Sequence, residues 1–297
     1  MHSPLPVLAL LFNAFVWGLS WWPFRLMYEA GLHPLWATAL MYFLVLVGLI
    51  TLRPQSLKQA WQYPVLLLLA ASSGLNNVAF NWAVTVGDVV RVILLFYLMP
   101  AWAVLLAWKV LGEKPTPLSI ARLLLAFAGV VLVLLPADAS PLGLLQGLSL
   151  ADGLAVFGGF MFALTNVLLR RFHTIPSQAR MLAMFAGCMS MGLVTALVSS
   201  SLGLVPSFPE VSTSWLGIAL VMSVLLMVGN WALQFGAARL PSGVTSVVML
   251  SEVVFASASS VLIAQESLSS RTLMGGACIM AAALLAVLGQ RRKLQTA

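Results

Sequence analysis

Apolar stretches about as long as a bilayer is thick, each nearly free of charge, recur ten times along this chain. A membrane helix needs about 20 such residues. The stretches lie near residues 5–27, 34–52, 64–86, 90–111, 119–135, 150–169, 178–202, 213–238, 242–264 and 271–290. Turn chemistry separates them, at Gly31 to Pro34, Arg53-Pro54, Gly87-Asp88, Lys114-Pro115, Pro136 to Pro141, Pro176, Pro206 to Pro209, Pro241 and Ser267 to Ser270. The loops are therefore short, and no room remains for a water-soluble domain. Only 8% of residues are charged and the mean hydropathy is +1.03. A soluble domain carries about 25% charged residues, and a chain with so few cannot cover a surface facing water. A soluble enzyme, a disordered chain and a nucleic-acid binder are excluded, despite a net charge of +7. Cys188 and Cys278 lie inside apolar runs and give no disulfide framework or metal spacing. His2, His33 and His173 fall near segment ends and read as loop or interfacial side chains.

The first stretch is too long for a cleaved signal and lacks a basic leader, so it reads as a retained helix. With the N-terminus in the cytoplasm, the inner side holds Arg53, Lys58, Lys109, Lys114, Arg122, Arg170, Arg171, Arg180, Arg239, Arg291, Arg292 and Lys293. The outer side holds only Arg25, Arg91 and Arg271. Basic residues favour the cytoplasmic side, so both termini are expected there, which requires an even number of spans. Glu29, Asp88, Asp138, Asp152, Glu210 and Glu266 fall outside.

The chain also repeats itself. A shift of 153 residues places Asn77 on Asn230, Asn81 on Gln234, Glu113 on Glu266 and Met99-Pro100 on Glu252-Val253. A rival shift of 149 aligns Asn81-Trp82-Ala83 with Asn230-Trp231-Ala232 but misplaces Glu113. Either way, helices 1–5 (residues 1–140) resemble helices 6–10 (residues 141–297). Five is odd, so the second copy enters the membrane upside down. Inverted repeats of this kind enclose a site near the midplane and expose it to each side in turn.

Leu98-Met99-Pro100-Ala101-Trp102 followed by Leu111-Gly112-Glu113 resembles the fourth helix of EamA-type members of the drug/metabolite transporter superfamily. Leu250-Ser251-Glu252-Val253-Val254 followed by Gln265-Glu266 resembles the ninth, and Phe15-Val16-Trp17-Gly18 fits the first. That family usually has an acid followed by proline in these helices; here the first half keeps only Pro100 and the second only Glu252. The resemblance implies an all-α polytopic membrane protein of ten transmembrane helices, two inverted five-helix repeats around a central cavity. Helices 1, 3, 4, 6, 8 and 9 would line that cavity, with 5 and 10 peripheral. It also implies a bacterial inner-membrane location and export of amino acids or other small metabolites.

Polar side chains at membrane depth concentrate towards a bundle interior or a wet cavity. Asn77 and Asn81 share a face of helix 3, beside Asn76, and helix 8 repeats the pattern with Asn230 and Gln234. Two such amide pairs can grip the amino and carboxylate ends of an amino acid. Equally, they serve as interhelical hydrogen bonds, worth about 1–2 kcal/mol or less each. Asn13, Ser20, Thr165 and Asn166 add to helices 1 and 6. Glu252 sits mid-helix, where an acid costs about 2.5–3.5 kcal/mol to insert; it is either a proton-coupling acid or a structural acceptor. Asp88 and Arg91, three apart, read as a surface pair at a helix end. Pro100 is expected to kink helix 4. Trp17, Phe80, Tyr97, Trp102, Phe162 and Trp231 lie at mid-depth and give an apolar, aromatic wall. The small-residue pairs Gly159/Ala163 and Ala256/Ser260 mark close helix contacts.

No Lys or Arg sits at mid-depth, which disfavours phosphorylated cargo. Nor is there a convergent nucleophile, base or metal set, so neither an enzyme nor a cofactor is expected. The expectation is a transporter of aromatic and other apolar amino acids, contacting membrane lipids and a small substrate but no nucleic acid. A monomer suffices for it. The alternatives are an exporter or facilitator of nucleobases, cationic compounds or other small metabolites, and a membrane scaffold that transports nothing.

Overall fold

The computed structural model describes residues 4–112, 115–134, 147–237, 239, 248–249, 251–266 and 269–295. Every regular element among them is helical. The first span is α1 (Leu5–Leu19) continued by α2 (Trp21–Glu29), and α3 (Pro34–Leu52) is the second. A short α4 (Gln55–Trp61) precedes the third span, α5 (Leu66–Val86). The fourth is split into α6 (Val89–Phe96) and α7 (Met99–Leu111), and α8 (Pro117–Leu134) is the fifth. The second half comprises α9 (Leu150–Arg171), α10 (Ser177–Ser201), α11 (Thr213–Ala237), α12 (Ser251–Ser259) with a π-helical turn (Ser260–Ala264), and α13 (Ser270–Gln295).

Six of these spans are long and apolar enough to cross a bilayer on length and composition alone. α5 is long enough at 21 residues but is diluted by Ser72, Ser73, Asn76, Asn77 and Asn81. Those side chains are all buried, so the helix never presents them to lipid. The molecule is apolar outside and polar within: Leu67, Val254 and Leu262 face outwards while Asn13, Thr38, Ser72, Thr165 and Ser223 are buried. Hydrocarbon cannot satisfy polar groups, so they turn towards one another. Helix α4 was not expected from the sequence; it is short, carries Lys58, and leaves Trp61 almost fully exposed, as suits a segment lying at the headgroups.

Breaks in the helices have local causes. Between α1 and α2 the Ser20 hydroxyl and the Ser20 N–H both donate to the Trp17 carbonyl, at 2.7 and 3.1 Å, which tightens the chain there. Between α6 and α7 the chain turns at Tyr97 and Leu98, and Pro100 falls in the first turn of α7. The expected kink is therefore a true interruption, placed where proline needs no donor. Its side chain lies outside the described residues, as do Glu113 and residues 240–247 at the start of the ninth span.

Packing relates the halves by an approximate two-fold exchange. α1 packs on α11 as α9 packs on α5, and α1 on α12 as α9 on α6 and α7. α3 meets α10, and α8 meets α13, each pair mapping onto itself. The α5–α10 contact is closest at Gly74 and Gly187, where a Cβ on Gly187 would collide with the Ala70 carbonyl oxygen. α8 and α13 meet through Gly129 and Gly275 and stand aside from the centre, as expected of spans 5 and 10.

Candidate functional site

A cavity of about 190 Å³ opens where the two halves meet. α1 supplies Asn13 and Trp17, α5 supplies Ser73, Asn76, Asn77 and Phe80, and Phe96, Tyr97 and Met99 come from the break in the fourth span. Opposite them stand Phe162 and Thr165 of α9, Asn230 and Leu233 of α11, and Met249 and Glu252 at the start of α12.

Its lining combines a cluster of aromatic rings with a set of polar side chains. Phe96 is the hub of the first, with its ring 4.8 Å from Phe80, 5.5 Å from Phe162 and 6.4 Å from Tyr97. Trp17 extends the series edge-on to Phe80 at 6.4 Å. Gly159 admits the Phe96 backbone: a Cβ there would press on the Phe96 carbonyl oxygen. Among the polar side chains the Tyr42 hydroxyl donates to Asn77 Oδ1 at 2.6 Å, and Asn77 Nδ2 donates to the Ser73 carbonyl at 3.0 Å. Ser73 Oγ lies 3.5 Å from Cys188 Sγ, and the Thr165 hydroxyl donates to Ser72 Oγ at 3.0 Å. Tyr97 of the fourth span and Glu252 of the ninth face the same cavity.

Of the residues expected at the site, Trp17, Asn77, Phe80, Tyr97, Phe162, Asn230 and Glu252 are brought together on this wall. Others are not. Asn81 turns to α3, donating to Thr38 Oγ1 at 3.0 Å. Trp102 packs edge-on between Phe127 and Phe160, away from the cavity. Asn166 is exposed and donates to its own helix at the Phe162 carbonyl, and Trp231 is exposed on the outer surface. The side chain of Gln234 lies outside the described residues. Two further spans also contribute, correcting the six-helix lining: Tyr42 from α3, and Met184, Phe185 and Cys188 from α10. Tyr42, one of three hydroxyl side chains in an otherwise apolar helix, was the available signal for the second span; Met184 and Phe185 carried none.

At one end, the helices that line the cavity are tied by charge. Arg25 of α2 pairs with Glu266 at 3.1 Å. Glu266 also accepts from the Val89 N–H at 3.1 Å and from Ser260 Oγ at 2.6 Å, so it caps α6 from the opposite half. Arg91 does not pair with Asp88 as its spacing suggests. It grips both oxygens of Asp152, at 2.7 and 2.9 Å, while Asp88 caps α6 by accepting from the Arg91 N–H. Burial raises the Asp88 carboxyl above its ordinary value, against that bond, which lowers it. Both ion pairs join the first half to the second, and Arg25 and Arg91 are two of the three cations expected outside.

The model of the EamA-like transporter family matches the chain twice, over residues 4–135 and 149–288. No curated protein matches it. A solved structure, described only as a crystal structure of a protein, is 21% identical, covers 97% of this chain and 98% of its own, and superposes with a TM-score of 0.60. At that identity the likeness establishes a shared fold.

Proposed function

Because the chain belongs to the EamA-like transporter family, it is a multi-pass membrane transporter of small substrates, and we propose that it exports aromatic and other apolar amino acids by alternating access. The observation that carries this reading is the cavity between the halves, lined both by rings from Trp17, Phe80, Phe96 and Phe162 and by amides and hydroxyls. A pocket of that kind suits a small solute with an aromatic or aliphatic body and a polar head. Residues 1–140 and 141–297 are the two units that rock, and Asn77, Asn230 and Glu252 are the polar contacts they present. The basic-residue distribution supports cytoplasmic termini and the family resemblance supports a bacterial inner membrane; in that orientation the end tied by Arg25–Glu266 and Arg91–Asp152 is external. With those pairs made, that end is shut. Export alternates this state with one in which they part.

Purified protein in liposomes loaded with labelled phenylalanine, leucine, a nucleobase or a quaternary ammonium compound tests the reading by counterflow. Exchange of phenylalanine and leucine above protein-free liposomes is expected. Exchange confined to the nucleobase or the ammonium compound would replace the amino-acid assignment, and none at all would remove the export reading.

A further inference from the structure

The first span and α9 are copies of one another. A gapless shift of 145 residues places Phe12 on Phe157, Trp17 on Phe162, Trp21 on Asn166 and Arg25 on Arg170. Because the halves are inverted, Trp21 and Arg25 stand beyond Trp17 towards one end of the bundle, and Asn166 and Arg170 stand beyond Phe162 towards the other. The two ends are in different states. Trp21 is 2% exposed and its Nε1 donates to Ser259 Oγ at 3.0 Å, while Arg25 lies over the Trp21 ring and pairs with Glu266. At the other end Asn166 and Arg170 are both exposed, and Asn166 Nδ2 donates back to the Phe162 carbonyl of its own helix at 3.0 Å.

The exposed side of Asn166 is not the side that meets lipid. Leu150 and Phe157 are the exposed apolar side chains that mark the lipid face of α9, and Asn166 stands about 180° around the helix from Phe157. Asn166 instead shares its stripe with Phe162, on the cavity wall. Beyond Phe162 the same stripe continues to Gly159, Ala155 and Asp152, which are buried. One stripe of this helix is thus sealed on one side of the cavity and open on the other. Hydrocarbon does not satisfy an amide, so the open part of the stripe calls for water.

Resting on the transporter reading of the cavity, we propose that the Asn166–Arg170 stripe of α9 walls a water-filled entrance through which substrate passes between the Arg170 end and the cavity. Asn166, one helical turn from Phe162, is the entrance residue next to the site. In the alternate state it is covered by the opposite half, as Trp21 is covered by α12 in this structure.

Single cysteines in a background lacking Cys188 and Cys278 test the entrance by reaction with a membrane-impermeant maleimide. Inside-out vesicles turn the Arg170 end to the medium in the proposed orientation, and right-side-out vesicles turn it away. The reactive thiolate forms in water and not in hydrocarbon, so Asn166→Cys is expected to label at least about tenfold faster than Phe157→Cys in inside-out vesicles. Fast labelling from the opposite side instead keeps the entrance and reverses the orientation. Labelling of Asn166→Cys as slow as that of Phe157→Cys from both sides overturns the entrance. Complete labelling of Asn166→Cys is expected to abolish counterflow of the exchanged solute, phenylalanine on the reading above, a comparison made on one folded protein before and after modification. Unchanged flux after complete labelling overturns the entrance. Fast labelling in a protein whose unaltered form exchanges none of the solutes upholds the water-filled stripe and removes the transport reading. Flux through the unaltered protein with position 166 unreactive does the reverse.

Discussion

Tyr97 and Glu252 line one cavity from opposite sides of the boundary between the two repeats, at the point where the fourth span is broken. Under the 153-residue shift Glu252 takes the place of Met99, two residues from Tyr97. The two side chains thus come from equivalent regions of the two copies, directly on the cavity wall. An acid in this position faces the cavity and not hydrocarbon, which is what allows it to sit at membrane depth.

Glu252→Leu removes the one carboxylate among the described cavity residues, on the wall it shares with the Tyr97 hydroxyl, and is expected to destabilise the protein by about 1–3 kcal/mol. Glu252→Gln keeps an acceptor and retains most of that. Thermal unfolding in detergent separates the two; equal losses would mean that charge, and not hydrogen bonding, holds the site.

Glu266 gathers the Arg25 guanidinium, the Val89 N–H and the Ser260 hydroxyl. Its pair with Arg25 is partly buried, with side chains 23% and 12% exposed. Removing one partner therefore falls between the surface and buried cases, about 2 kcal/mol. In a background lacking Cys188 and Cys278, a cysteine replacing the buried Val92 of α6 reports opening of this end. Arg25→Ala is expected to speed its labelling by a membrane-impermeant maleimide in cells. An unchanged rate would show that the pair does not hold the end shut.

Two glycine substitutions should have opposite effects. Gly187→Ala puts a methyl group into the Ala70 backbone, where neither helix can yield locally, and overpacking of this kind costs about 1–3 kcal/mol or more. Gly153→Ala in α9 meets nothing within 4 Å and gains up to about 1 kcal/mol in helix propensity. Melting temperatures of the two proteins, moving apart about the unaltered value, are the readout.

His33 caps α3 by accepting from the Leu35 N–H at 3.3 Å, and stands edge-on to Tyr28 and Trp82. Burial lowers its pKa from 6.5 to about 4, so the fold holds the neutral ring. Between those two values the unfolded chain takes up a proton that the folded chain refuses. Stability is therefore full above the upper value and declines as pH falls towards the lower, by about 3 kcal/mol in all. His33→Asn keeps a capping acceptor and should flatten that part of the pH–stability curve. An equally steep curve in the variant would assign the acid sensitivity elsewhere.

How much of this was legible beforehand differs by level. Spans 34–52, 150–169 and 178–202 reappear in the structure as α3 (Pro34–Leu52), α9 (Leu150–Arg171) and α10 (Ser177–Ser201) to within a residue or two. The site was legible in part. Asn77 and Asn81 share a helix face, yet Asn77 reaches the cavity and Asn81 bonds Thr38. Trp102 and Trp231 looked equivalent to Trp17, but one packs beneath Phe127 and Phe160 and the other faces outwards. Arg91 had an acid three residues away and chose Asp152, 61 positions on.

The amino-acid order alone determined the spans, the repeat and the family. Bilayer thickness acts on each apolar segment separately, and basic residues sort by side, so both signals are local. Only the tertiary structure decided which faces look inwards. Helical periodicity fixes how residues on one helix stand relative to each other but leaves the rotation of the whole helix free. That rotation is set by contacts with neighbouring helices, here by close approaches such as Gly187 on Ala70 and by bonds between halves such as Arg91 with Asp152.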